Sequence, residues 1–177
     1  MVKKILIGAA VLVAGLVVAI VTRPGEFSIE RSITVATPAA VPFGLVNDLH
    51  AWERWSPWEK RDPDMTRVYE GSEAGEGARY SWSGNDDVGK GRMTIVSSRP
   101  TESVDIELEF IEPFAATNQT EFRFTEADGS TTVTWRMKGT NDFFGKAFSL
   151  FMNMDELVGA DFEQGLASLK ALAENQT

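Results

Sequence analysis

Residues able to do chemistry are few in this chain and widely spaced. Cysteine is absent, which removes disulfides, thiolate metal sites and a cysteine nucleophile together. His50 is the single histidine. A zinc site or a Ser-His-Asp triad is therefore not expected, although acid–base work with a carboxylate stays open. Asn85-Asp86-Asp87 lacks the ligand offsets and terminal bidentate glutamate of a calcium loop and reads as a turn. Gly89-x-Gly91 is not followed by the helix a dinucleotide loop requires, and reads as the start of a strand. What remains is aromatic. Trp52, Trp55 and Trp58 recur at three-residue spacing, on one side of a helical or 3₁₀ turn. Tyr80 and Trp82 share a strand face. Indoles and phenols combine apolar area with one polar group, which suits holding a greasy molecule better than breaking bonds. No metal and no cofactor is expected.

These residues need elements to position them. From Met65 onward the pattern is strand after strand: Met65–Glu70, Ala78–Ser83, Gly91–Ser98, Ser103–Glu112, Thr117–Thr125 and Thr131–Gly139. An earlier strand covers Phe27–Val35, with Arg31 interrupting its alternation. The short connections predict antiparallel pairing, and Asp128-Gly129 predicts a hairpin turn. Parity assigns the faces. Val104, Ile106, Leu108 and Phe110 oppose Asp105, Glu107 and Glu109; Phe122 and Phe124 oppose Glu121 and Arg123; Val133, Trp135 and Met137 oppose Thr134, Arg136 and Lys138. Such a sheet is wet on one side only and needs a cover on the other.

The last segment supplies that cover. Val158, Phe162, Leu166, Leu169 and Ala173 recur at helical spacing, joined by Leu157 and Leu172, with Glu156, Glu163 and Lys170 opposite. A shorter helix is expected from Ala40 or Val41, carrying Phe43, Leu45, Val46 and Leu49. The fold class is thus α+β, a curved antiparallel sheet around a long C-terminal helix. Such an arrangement often leaves a cavity between sheet and helix. On the sheet, Tyr80, Trp82, Met93, Ile106, Leu108, Phe122 and Trp135 are expected to line it. Phe162, Gly165 and Leu166 would do so from the helix, and Trp55 from the entrance. Gly165 admits two readings, close helix–sheet contact or a wall kept open by the missing side chain; a glycine there costs about 1 kcal/mol relative to alanine.

Ile5 to Val21 is an unbroken apolar run preceded by Lys3 and Lys4 and followed by Arg23. It meets the lower length limit for a spanning helix. Its end lacks the small-x-small pattern of a cleaved signal peptide, so residues 1–25 are expected to be a retained transmembrane anchor and linker. The charge bias predicts a cytoplasmic N-terminus and an extracytoplasmic, periplasmic domain over 26–177. All 26 acidic residues follow Arg23, against 14 basic ones, a formal charge of −12 beyond that point. A surface of that sign excludes nucleic acid as a partner.

Several stretches resemble the polyketide cyclase/dehydrase branch of the START-like (SRPBCC, helix-grip) superfamily. They are Trp52-x-x-Trp55-Ser56-Pro57-Trp58, Gly84-Asn85 with Val88-Gly89-x-Gly91-x-Met93-Thr94-Ile95, Glu112-Pro113-Phe114, Val133-x-Trp135, and Phe162-x-x-Gly165-Leu166-x-x-Leu169-Lys170. The resemblance runs from about Phe27 to the end. It implies a central cavity for lipids, sterols, hormones or polyketides and carries no catalytic motif. The expected function is membrane-tethered binding of a hydrophobic small molecule or lipid. The alternatives are a cyclase- or aromatase-type enzyme, using Tyr80 with His50 or an inward carboxylate, and a protein-interaction module of the cell envelope.

Overall fold

The computed structural model describes residues 2–150 and 153–176. Helix α1 (Val2–Val21) is followed by β1 (Glu26–Val35), α2 (Ala40–Asn47) and two 3₁₀ turns, Leu49–Arg54 and Trp58–Lys60. Six strands come next: β2 (Thr66–Gly71), β3 (Ala78–Ser83), β4 (Lys90–Arg99), β5 (Ser103–Glu112), β6 (Ala116–Ala127) and β7 (Ser130–Thr140). Helices α3 (Phe143–Phe148) and α4 (Met154–Glu174) complete the chain. All pairings are antiparallel, in the order β1-β7-β6-β5-β4-β3-β2.

The expected strands lie where alternation put them, each within about two residues of its bounds. Asp128 and Gly129 both have positive φ, 51° and 75°, the two-residue turn whose twist matches the flanking strands. The inward faces of β5, β6 and β7 form the floor of the core, where Val104, Ile106, Phe122 and Val133 are fully buried. Helix α4 packs along β1 and β7 on this side of the sheet, burying Phe162, Leu166, Leu169 and Ala173.

Three details differ from the sequence reading. Helix α2 stops at Asn47, so Leu49 belongs to the following 3₁₀ turn. The chain extends at Asp48 (φ −101°, ψ 109°), whose carboxylate accepts the His50 N–H and starts that turn. Leu157 is 50% exposed, in the first turn of α4 and ahead of the buried stripe, which starts at Gly159. Helix α3 was not anticipated; six residues are too few to display a period.

Arg31, the residue that broke the β1 alternation, fixes α4 in place. Its guanidinium donates to the Asp155 carboxylate and backbone carbonyl and, at 2.8 Å, to Glu163. At the other end of α4, Glu174 accepts the Ala36 N–H (2.8 Å) and Lys170 donates to the Thr34 carbonyl (2.5 Å). Charged contacts thus pin the helix at both ends, while the apolar stripe sets its face.

Helix α1 is long and apolar enough to cross a membrane. Ile20 apart, its described side chains are exposed.

Candidate functional site

Between the sheet and α4 lies a cavity of about 360 Å³, toward the low end of the range for small-molecule sites. Its walls are mostly apolar and aromatic. Of the residues expected to line it, Tyr80, Trp82, Met93, Ile106, Leu108, Trp135 and Phe162 do so. Tyr80, Met93, Leu108 and Asn118 occupy one row across β3, β4, β5 and β6, since each pairs with the next. That row crosses the middle of the cavity.

Trp55, Phe122, Gly165 and Leu166 stand outside the lining. Trp55 is fully buried and donates its indole N–H to the Leu45 carbonyl (3.1 Å), while Trp52 donates to the Val46 carbonyl (3.0 Å). The two indoles thereby satisfy carbonyls that the end of α2 leaves without helical partners. Trp52 and Trp58 do reach the cavity. The three-residue spacing did not put all three indoles on one wall, because the backbone leaves the 3₁₀ turn at Trp55 (φ −133°, ψ −23°). Phe122 packs beneath Trp135, ring centroids 4.8 Å apart.

Gly165 serves close contact. A Cβ there would stand 2.9 Å from Trp135 Cζ3 and 3.1 Å from Pro57 Cδ. Trp135 cannot retreat, because Phe162 stacks on it at 4.1 Å and Trp58 meets it edge-on. Gly165→Leu is therefore expected to cost about 3 kcal/mol through overpacking. Thermal melts will show this, and an unchanged melting temperature would return Gly165 to the cavity wall.

Two polar stations interrupt the apolar lining. The first centres on Glu59, which sequence reasoning missed. The residue is 7% exposed, and its carboxylate accepts the Tyr80 O–H at 2.6 Å and the Arg67 Nε–H at 2.8 Å. Burial, with the neighbouring Glu59 charge, pushes the Tyr80 phenol well above the ordinary tyrosine range, so it remains a donor. The second station lies on β6, where Asn118 and Thr120 face inward. Trp82, expected as a polar handle, has its N–H committed to the Val88 carbonyl (3.0 Å). His50 lies outside the lining, stacked on Tyr69 at 4.0 Å beside Asp48.

Arg61, Asp87 and Leu157 are exposed yet belong to the lining, so the cavity reaches the surface among them. Arg61 is ion-paired with Asp161 across this mouth. The Asn85-Asp86-Asp87 segment is a turn there, its Asn85 N–H held by Asp62 at 2.7 Å. Among the described residues no group of three or more acidic or histidine side chains could hold a metal ion.

A family model described as polyketide cyclase / dehydrase and lipid transport matches residues 26–174. A search of curated protein sequences returned no match. Solved structures share the fold at low identity. Protein CV1439 from Chromobacterium violaceum aligns with a TM-score of 0.61 at 14% identity, over 83% of this chain and 96% of its own. Protein SA2116 from Staphylococcus aureus gives 0.63 at 10%, over 87% and 97%. The di-domain ARO/CYC StfQ from the steffimycin biosynthetic pathway gives 0.62 at 13%, over 86% of this chain and 52% of its own.

Proposed function

Because the chain belongs to the polyketide cyclase / dehydrase and lipid transport family, we propose that it binds a hydrophobic small molecule or lipid between sheet and C-terminal helix while α1 tethers it to a membrane. In this reading residues 1–25 are the anchor and linker and 26–177 the binding domain, exported to the periplasmic side. The observation that carries it is the cavity of about 360 Å³, walled by apolar and aromatic side chains. Covering about 400 Å² of apolar guest at roughly 25 cal/mol/Å² provides on the order of 10 kcal/mol gross, enough for micromolar binding after association costs.

The tether is supported by where the mouth lies. Strand register puts the start of β1, the end of β7, the β3–β4 turn and the β5–β6 turn at one end of the sheet. The cavity mouth at Asp87 and Val88 is at that end, and so is the C-terminus of α1. Ile111 and Phe114, 55% and 79% exposed, stand there as well. A guest leaving a bilayer would meet the opening directly.

Native mass spectrometry of the full chain, purified from membranes and released from detergent, tests the proposal. A discrete hydrophobic adduct is expected. Bare protein, together with no saturable uptake of apolar probes, would overturn it.

A second reading, cyclase-type proton chemistry, is favoured by the Glu59–Tyr80 pair at 2.6 Å in the cavity wall. It requires wild-type turnover of a poly-β-ketone that Glu59→Gln abolishes while guest binding persists. Absence of wild-type turnover would remove it.

A further inference from the structure

Strand β6 carries an anomaly on its buried face. Residues of one parity face the core, and Phe122 and Phe124 of that set are apolar as a core requires. The two preceding members are Asn118 and Thr120, 7% and 5% exposed. Thr120 Oγ1 and the Nε1 of Trp135, one strand away, have no hydrogen-bond partner among the described residues. The Asn118 amide reaches only the Met137 thioether, at 3.8 Å, a weak acceptor. Buried polar groups are normally paired, and leaving them unpaired is costly. Asn118, Thr120 and Trp135 all line the cavity.

Resting on the carrier reading above, we infer that the β6 station receives one uncharged oxygen function, so that the guest is a neutral apolar molecule bearing a carbonyl or hydroxyl group. The hydroxyl, amide and indole N–H are all uncharged and offer donors to such an oxygen. The rest of the lining argues against a carboxylate guest. Among the described residues its ionisable acids are Glu59, Asp87 and Asp161, and its one cation, Arg61, is already paired with Asp161. Arg67 is committed to Glu59. An anion would therefore enter a wall of its own sign with no free cation to meet it. Row geometry then orients the guest. Asn118 lies three strand spacings, roughly 14 Å, from Tyr80, with Leu108 and Met93 between them. The oxygen sits at the β6 end and the hydrocarbon body runs over Leu108 and Met93.

Three naphthalenes of similar shape separate the possibilities: 2-acetonaphthone, 2-isopropylnaphthalene and 2-naphthoate. Each is titrated at pH 7 into the full chain in lipid nanodiscs, with empty discs subtracted, following quenching of the cavity indoles against free aqueous probe. The ketone should bind about ten-fold more tightly than the hydrocarbon, and the carboxylate most weakly. Thr120→Val, nearly isosteric, should erase most of the ketone's advantage over the hydrocarbon; Thr120→Ser should restore it. Equal wild-type affinity for ketone and hydrocarbon, or naphthoate binding as tightly as the ketone, overturns this inference and leaves the carrier reading standing. A ketone preference that survives both Thr120→Val and Asn118→Leu overturns the assignment to β6. Saturable binding of none of the three overturns the carrier reading and this inference together.

Discussion

Replacing Met93 and Leu108 together by tryptophan should weaken guest binding by about 100-fold while changing the melting temperature little. Both side chains line the cavity, and they face each other across β4 and β5 in the row that crosses its middle. Leu108 is only half-buried although it sits on a central strand, because its inward side borders the void instead of α4. Enlarging a residue in a filled core costs about 1–3 kcal/mol by forcing neighbours off their rotamers. Here the added indoles have empty volume to enter, so most of that cost is avoided. The space they fill is the space whose coverage would supply the binding free energy. Titration of an apolar probe alongside thermal melts separates the two effects. Retained affinity would move the binding site elsewhere; a collapsed melting temperature would show that the cavity walls cannot yield.

The large features of this fold were legible because each rests on repetition. Alternation over β5, β6 and β7 fixed which side chains enter the core, and the stripe Phe162, Leu166, Leu169, Ala173 fixed which face of α4 closes it. Four of the eleven expected lining residues, Ile106, Leu108, Trp135 and Phe162, follow from those two patterns, and the alternation of β3 and β4 adds Tyr80, Trp82 and Met93. The misses have a different character. Glu59 sits in an aromatic segment where one acid reads as a solvated residue. Its partners, Arg67 on β2 and Tyr80 on β3, come near only once the 3₁₀ turn packs against the edge of the sheet. Asn118 and Thr120 did carry a readable signal: they share the parity of Phe122 and Phe124, and two polar residues on a buried face require a reason. Arg31 carried a similar one, an inward charge on β1, answered by Asp155 and Glu163 on α4. Trp55 was misplaced because equal spacing implies a shared face only while one helical turn continues, and here the turn ends at that residue.

Glu59→Ala should cost about 3 kcal/mol. For a domain of this size that is a fall in melting temperature of roughly 6–12 °C. The side chain is 6% exposed and its Arg67 partner 20%, so solvent screens the pair little. Alanine would strand both the guanidinium and the Tyr80 hydroxyl, and the penalty arises chiefly from that stranding, not from the lost attraction itself. A double substitution makes the distinction measurable. Glu59→Leu with Arg67→Leu should be less destabilised than Glu59→Leu alone, since no buried charge is then left without its partner. The pH dependence adds an independent check. Burial and nearby carboxylates raise both the Tyr80 and the Tyr69 phenols. The folded protein therefore keeps these protons after the unfolded chain has released them, and stability should decline as pH climbs past about 10. Tyr80→Phe should flatten that decline. A melting temperature that Glu59→Ala leaves within about 2 °C of wild type would mean that the carboxylate, phenol and guanidinium do not act together in the cavity wall.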